Sequence, residues 1–347
     1  WVKGDALVAA LNLSSWWVLA LTLGAGLFAL LMPMMFGVLQ GRQNFLWLGW
    51  ALLSLGVLRV AAMAGLIRLH EASAINGMIA VGLGYVLAFG IALNTANLPR
   101  LEPAEWMASV MRVNWRDLAK RFLPLSIGGG TVIFMMSVDM VVVQRYFDKE
   151  QTGFYAAAGM IGRALIFFVG PMVAVMFPKV VKSHAEQKPT DVLRFTLLLT
   201  AGLCTVAIAL GILVPDLPLR MVYDDSFLKA APIVPWFIGA MAPLALAAVL
   251  VNNILARCKS KNVYLLLGVP VIYAGLLCYA GPQIAEQTSD GFNVAAHISI
   301  VGLIGMGNLC FLASTVILTW VVNQEEKLLL AQASATENPP PDEAEAR

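Results

Sequence analysis

Nine apolar stretches, near residues 16–39, 45–67, 74–98, 122–146, 154–178, 195–215, 230–256, 262–282 and 294–322, make up most of the chain. Each is about the 20 residues that a helix needs to cross the hydrocarbon core of a bilayer. No water reaches the backbone there, so each stretch must satisfy its amides internally, which a helix does. The expected fold class is therefore all-α, a polytopic transmembrane helix bundle of about nine spans. Composition points the same way. Of 347 residues, 59% are hydrophobic and 13% charged, against roughly one-quarter charged in soluble domains.

The same composition narrows the chemistry. Cys204, Cys258, Cys278 and Cys310 are scattered without CxxC or CxxH spacing, and His70, His184 and His297 stand alone, so neither a metal site nor a disulfide framework is expected. There is no GxxxxGK[ST] phosphate loop and no Ser/His/Asp or Cys/His constellation. Paired carboxylates suited to a metal-bound sugar nucleotide occur only as Asp224-Asp225, in an outside loop. No enzyme, no resident cofactor and no nucleic-acid partner is expected. Residue 1 is Trp, and no basic stretch with a short apolar run and cleavage site follows it, so the chain is expected to lack an N-terminal part.

Charge sets the orientation. Counted over alternate loops, one side holds fifteen basic residues, in 40–44, 99–121, 179–194, 257–261 and beyond 322, and the other holds six. The richer side is expected to be cytoplasmic, which puts the C-terminus inside. Within 99–121, Met107, Val110, Met111, Leu118 and Phe122 share one helical face and Arg112, Arg116 and Lys120 the opposite one. That pattern suits either a helix lying on an anionic membrane surface or a solvated basic connector. The segment 323–347, with its Pro-rich acidic end "ENPPPDEAEAR", is expected to be a disordered cytoplasmic tail.

An internal repeat organises the spans. "MPMMFGVLQGRQNF" (32–45) ends one span with a short polar turn and starts the next, and "LALAAVLVNNILARCKSKN" (244–262) does the same about 216 residues later, with Leu39 matching Leu255. Repeats of this kind are frequent in transporters, whose substrate site lies between the halves. The expected organisation is the last three helices of an N-terminal bundle (1–98), a connector (99–121), a six-helix C-terminal bundle (122–322) and a tail (323–347). Pro33, Gly128-Gly129-Gly130, Pro171, Pro235, Pro243 and Pro270 mark places where spans either break around a cavity or pack closely on a neighbour.

Away from the span ends, only Arg59, Asp139 and Arg163 carry charge inside the spans. Such residues are costly in hydrocarbon and mark functional sites by default. By residue count all three lie roughly 12 Å below the outer surface, at about 1.5 Å per residue. Asp139 and Arg163 can form a buried pair. Even so, Arg59 is left over, and Arg145 adds positive charge at the outer rim, where it either lines the site or snorkels. A net positive, partly wet cavity suits a phosphate or diphosphate, which arginine grips through its planar fork of donors. Gln40, Asn94, Asn252 and Asn253, near inner span ends, either line a cytoplasmic mouth or bond neighbouring helices.

"DMVVVQRYFDKEQTGFYAAAGMIGRALIFFVGPMVAVMFP" (139–178) resembles the seventh and eighth helices of oligosaccharide flippases in the multidrug/oligosaccharidyl-lipid/polysaccharide exporter superfamily, and "LQGRQNF" (39–45) resembles the turn after their fourth. The resemblance covers 16 to 322. It implies two six-helix bundles around a basic cavity that alternates between inside-open and outside-open states, lacking here the first three helices. It also implies transfer of polyprenyl-diphosphate-linked glycan, such as O-antigen, across a bacterial inner membrane for cell-surface polysaccharide synthesis. Arg59, Arg163, Arg145, Asp139, Gln40, Asn252 and Asn253 are the expected substrate-site residues, with H+ or Na+ as the coupling ion. The expected partners are the lipid-linked glycan, membrane lipid, and a polysaccharide polymerase and glycosyltransferases. Two other readings stand beside this one. The first is a multidrug and toxic compound extrusion antiporter, which an excess of intramembrane arginine over acid disfavours. The second is a scaffold or enzyme subunit of a polysaccharide assembly complex.

Overall fold

The computed structural model describes residues 16–69, 73–96, 114–185, 191–257, 263–287 and 292–337. Ten α-helices order the described residues: α1 (Trp16–Gly41), α2 (Phe45–Leu69), α3 (Ala74–Thr95), α4 (Trp115–Tyr146), α5 (Lys149–Ala185), α6 (Val192–Leu213), the short α7 (Asp216–Val222), α8 (Val234–Ala256), α9 (Gly268–Glu286) and α10 (Val294–Glu337). Short 3-10 segments, Asp225–Ile233 and Tyr264–Leu267, lead into α8 and α9. Among the described residues, nine helical runs are long and apolar enough to cross a membrane. Their outward faces carry bulky apolar side chains, among them Leu30, Val60, Phe167, Leu198 and Ile272. Contiguous exposed apolar surface on this scale requires lipid around it. The chain is a multi-pass membrane protein.

Helix ends depart most from the sequence-based expectation in α4, α5 and α10. The helix expected from 122 starts at Trp115, so residues 115–121 of the connector are the first turns of α4; residues 97–113 lie outside the described residues. The span expected at 154–178 runs from Lys149 to Ala185. The tail expected to be disordered from 323 is helical to Glu337. Its "NQEEKLLLAQASA" is rich in Ala, Leu, Glu, Gln and Lys, the strongest helix formers, and continues a helix that is already nucleated. Residues 338–347 lie outside the described residues. The prolines do not break their helices. Pro33, Pro171 and Pro243 lie within continuous helices, and the Gly128–Gly130 run stays helical in α4. Pro235 sits at the start of α8, where its missing N–H is not needed, and Pro270 is in the first turn of α9.

The chain divides into two compact units between Arg112 and Val113. In the first, α3 packs along both α1 and α2, which touch each other only lightly. In the second, α8 is the hub, packed by α4, α5, α6 and α10. Of its most apolar stretch 72% is buried, against 22–33% for the other spans of that unit, so α8 is by far the most enclosed of them. The last three spans of the second unit repeat the packing of the first, since α10 lies along both α8 and α9 while α8 and α9 hardly meet. The matched leucines of the sequence repeat are both buried, Leu39 at 0% and Leu255 at 7% exposure.

Close approach of α5 to the hub depends on Gly162. A Cβ there would stand 2.9 Å from Phe237 Cβ and 3.0 Å from the Phe237 carbonyl, whose backbone cannot yield. We expect Gly162→Ala to cost about 1–3 kcal/mol by overpacking, measured as a lower unfolding midpoint in detergent. Gly170→Ala, with open space around the position, should leave the midpoint unchanged or raise it slightly through helix propensity.

Candidate functional site

The buried face of α4 runs through Val132, Met135, Asp139, Val142 and Val143, so helical periodicity alone delivers the Asp139 carboxylate into the second unit at 0% exposure. On α5, Tyr155, Gly159 and Arg163 follow at intervals of four and share one face. Because helix side chains lean toward the N-terminus, Arg163 reaches back along that face toward the N-terminal end of α5. Gly159 leaves it a channel: a Cβ at 159 would lie 2.6 Å from Arg163 Nη1.

The two charges meet there. Arg163 Nη2 donates to Asp139 Oδ2 at 2.5 Å, and Arg163 Nε donates to the Met136 carbonyl at 2.9 Å, one turn below on α4. Tyr155 donates its hydroxyl to the same Asp139 Oδ2 at 2.7 Å. Phe237 of α8 closes the cluster, 5.8 Å from the Arg163 guanidinium and edge-on to the Tyr155 ring at 4.8 Å. On the Tyr155 side, fully buried His297 of α10 packs against the rings of Phe147, Phe292 and Tyr155, and its Nδ1 is 2.7 Å from the Asn293 carbonyl. The pair is electrically neutral and nearly free of solvent, with side-chain exposures of 14% for Arg163 and 0% for Asp139. Both possibilities open from sequence, a ligand-facing arginine and a buried pair, involve the same two residues, and this structure holds them as the pair.

The remaining expected residues are dispersed. Arg145, exposed in the last turn of α4, stacks over the Tyr146 ring at 5.7 Å and keeps its charge at the rim. Gln40 is half-buried at the end of α1. Asn252 donates to the Ala248 carbonyl at 2.9 Å, a bond within its own helix, which accounts for it without a ligand. Asn253 is 1% exposed, and neither of its amide atoms has a partner among the described residues.

Arg59 differs from all of these. It lies within α2 of the first unit, its guanidinium 5.4 Å from the Tyr85 ring of α3, and its Nε is buried without a hydrogen-bond partner among the described residues. The described residues of α1, α2 and α3 include no Asp or Glu.

Sequence reasoning missed Tyr155, Tyr273, Phe237 and His297. The Tyr-x3-Gly-x3-Arg spacing on α5 was a visible signal for the first, since it places a phenol, a gap and a cation on one face. In the second unit a cleft of about 630 Å³ also opens between α6, α8 and α10, lined by residues such as Ile212, Trp236, Gly239, Pro243 and Leu309. With apolar walls and no charged group, it offers nothing to hold a headgroup. Compared with protein-family models, with curated proteins and with solved structures, the chain matches none.

Removing one partner of a buried ion pair strands the other, at a cost of about 3–5 kcal/mol. We expect Arg163→Leu to lower stability by about that amount, and Asp139→Leu combined with Arg163→Leu to restore much of it. Tyr155→Phe should cost about 1.5–3 kcal/mol, as befits a hydrogen bond to a charged group. Reversible unfolding of the purified protein in mixed micelles measures all three. Additive losses in the double variant would mean that the pair does not interact as drawn.

Proposed function

We propose that the protein is a transporter that flips a polyprenyl-diphosphate-linked oligosaccharide from the cytoplasmic to the outer leaflet of a bacterial inner membrane, with its C-terminus in the cytoplasm. The observation that carries this reading is Arg59. An arginine at membrane depth demands an anion, a wet cavity or an exit to the interface, and the described part of its own unit holds no carboxylate to neutralise it. A diphosphate meets that demand, because its oxygens match the guanidinium fork and their charge exceeds that of one arginine. Alternating access would then carry the headgroup through the protein while the isoprenoid tail stays in lipid. The likeness of residues 39–45 and 139–178 to oligosaccharide flippases supports the substrate class. Arg145, exposed in the last turn of α4, would meet the headgroup on release.

Asp139, the one carboxylate within the described spans of the second unit away from their ends, is the candidate residue for a coupling ion, H+ or Na+.

The test is leaflet transfer of a fluorescent polyprenyl-diphosphate oligosaccharide in liposomes, read with an impermeant quencher. Wild type should transfer. Arg59→Gln should slow transfer at least about tenfold, since a charge-assisted hydrogen bond worth 1.5–3 kcal/mol corresponds to one to two decades. No transfer by wild type, with proton- or sodium-driven efflux of a cationic dye from the same vesicles, would replace this reading with a drug antiporter. Unchanged transfer in Arg59→Gln would remove Arg59 from the substrate path.

A further inference from the structure

Asp139 uses one carboxylate oxygen twice and the other not at all. Oδ2 accepts from both Arg163 and Tyr155, whereas Oδ1, equally buried, has no partner among the described residues. Tyr273 of α9 presents the complementary deficit. It is 2% exposed, and its hydroxyl has no partner among the described residues either. Tyr273 belongs to the same buried cluster as Tyr155 and Phe237, and α9, which carries it, packs along α4, which carries Asp139. Its ring is seated deliberately, because a Cβ at Gly307 of α10 would stand 2.5 Å from Tyr273 Cδ2 and 2.9 Å from Cε2. An acceptor without a donor and a donor without an acceptor therefore share one buried cluster, and each carries the cost of an unmade hydrogen bond. Of the other groups in the cluster, Arg163 and Tyr155 are on Oδ2, Phe237 is an apolar wall, and His297, which packs on Tyr155, has Nδ1 at the Asn293 carbonyl. With the proton on Nδ1, its Nε2, which has no partner among the described residues, is an acceptor and has no proton to give Oδ1.

We propose that Tyr273 is the second-state partner of Asp139: when Arg163 leaves, the carboxylate turns so that Oδ1 accepts the Tyr273 hydroxyl while Tyr155 keeps Oδ2. In the state described here Arg163 neutralises Asp139. In the second state two phenols hold the carboxylate by charge-assisted hydrogen bonds, and the guanidinium is free to meet an anion. The cluster is then a latch with two settings, and Tyr273 is a positioning residue that makes the second setting tolerable. The exchange deepens the transporter reading and rests on it only for the anion that draws Arg163 away. Its test contains no substrate, so a failed flipping assay and a failed latch are separate results.

The experiment is a double-mutant cycle on the purified full chain in micelles. Tyr273→Phe should leave the wild-type melting temperature within about 1 °C, because it removes a group that bonds nothing in this state. In an Arg163→Leu background, where Asp139 has lost its cation, the same change should lower it by on the order of 2–4 °C. Should Arg163→Leu fail to fold, Arg163→Lys withdraws the fork while keeping a charge and serves as the background. In parallel, the isotope-edited infrared carboxylate band of Asp139 should shift on Tyr273→Phe in the Arg163 variant and stay in place in wild type. Equal melting shifts in both backgrounds, or a large loss already in wild type, would overturn the latch, the second by showing that the hydroxyl is engaged from the outset.

Discussion

The structure depends on how a buried carboxylate is made bearable inside a bilayer. Water cannot solvate Asp139, and the cost of an isolated charge in such a medium is large enough that it must be paired, hydrogen-bonded or neutralised. The packing around it follows from that requirement. Helix α5 must come close enough to α4 for Arg163 to reach, and Gly159 supplies the room on α5 itself. It must also lie close against α8, which Gly162 permits, and Phe237 then shields the pair. Tyr155 adds a second donor one turn above Gly159. The hub position of α8, far more buried than its neighbours, means that this cluster is enclosed by protein and not by lipid.

Enclosure gives the charges a function as well as a cost. An ion pair at a lipid-exposed surface would exchange partners with water and headgroups at little cost. Within the helix bundle, every exchange must be a swap between groups the protein itself provides. The second unit provides two phenols, one guanidinium and one carboxylate, and the count of donors exceeds what one setting uses. The surplus is what allows more than one arrangement without stranding the charge, which a conformational cycle requires.

Much of the fold was legible because the bilayer imposes a strong, simple rule. All nine spans stood out by length and hydropathy, and the recurrence at 244–262 of the 32–45 turn anticipated the shared packing of the two helix triplets. The ends were harder to place. Residues 323–337 look like tail by their charge, yet helix propensity and an existing helix decide their conformation. Of the two readings open for the prolines, the continuous helices fit packing: in a packed bundle one lost hydrogen bond is small against the contacts that hold the helix together. At the site, Asp139 and Arg163 were visible because charge in a span is rare. Tyr155, Tyr273 and Phe237 were not, since aromatic residues are ordinary filler in spans and only tertiary packing distinguishes those that touch a charge.

The two units treat intramembrane charge in opposite ways, and the contrast argues for a mobile anion. In the second unit the cation has its own carboxylate, a backbone carbonyl and an aromatic face, so the cluster is complete at zero net charge. In the first unit the described residues give Arg59 an aromatic face and nothing else, with its Nε buried and unpaired. A purely structural arginine would be expected to resemble the first case, because an unneutralised cation in a span is a standing cost with no packing benefit that leucine could not supply. In the proposed function that charge comes from the substrate during the working cycle. Under the proposed function, a diphosphate headgroup is an anion of the right chemistry to supply it.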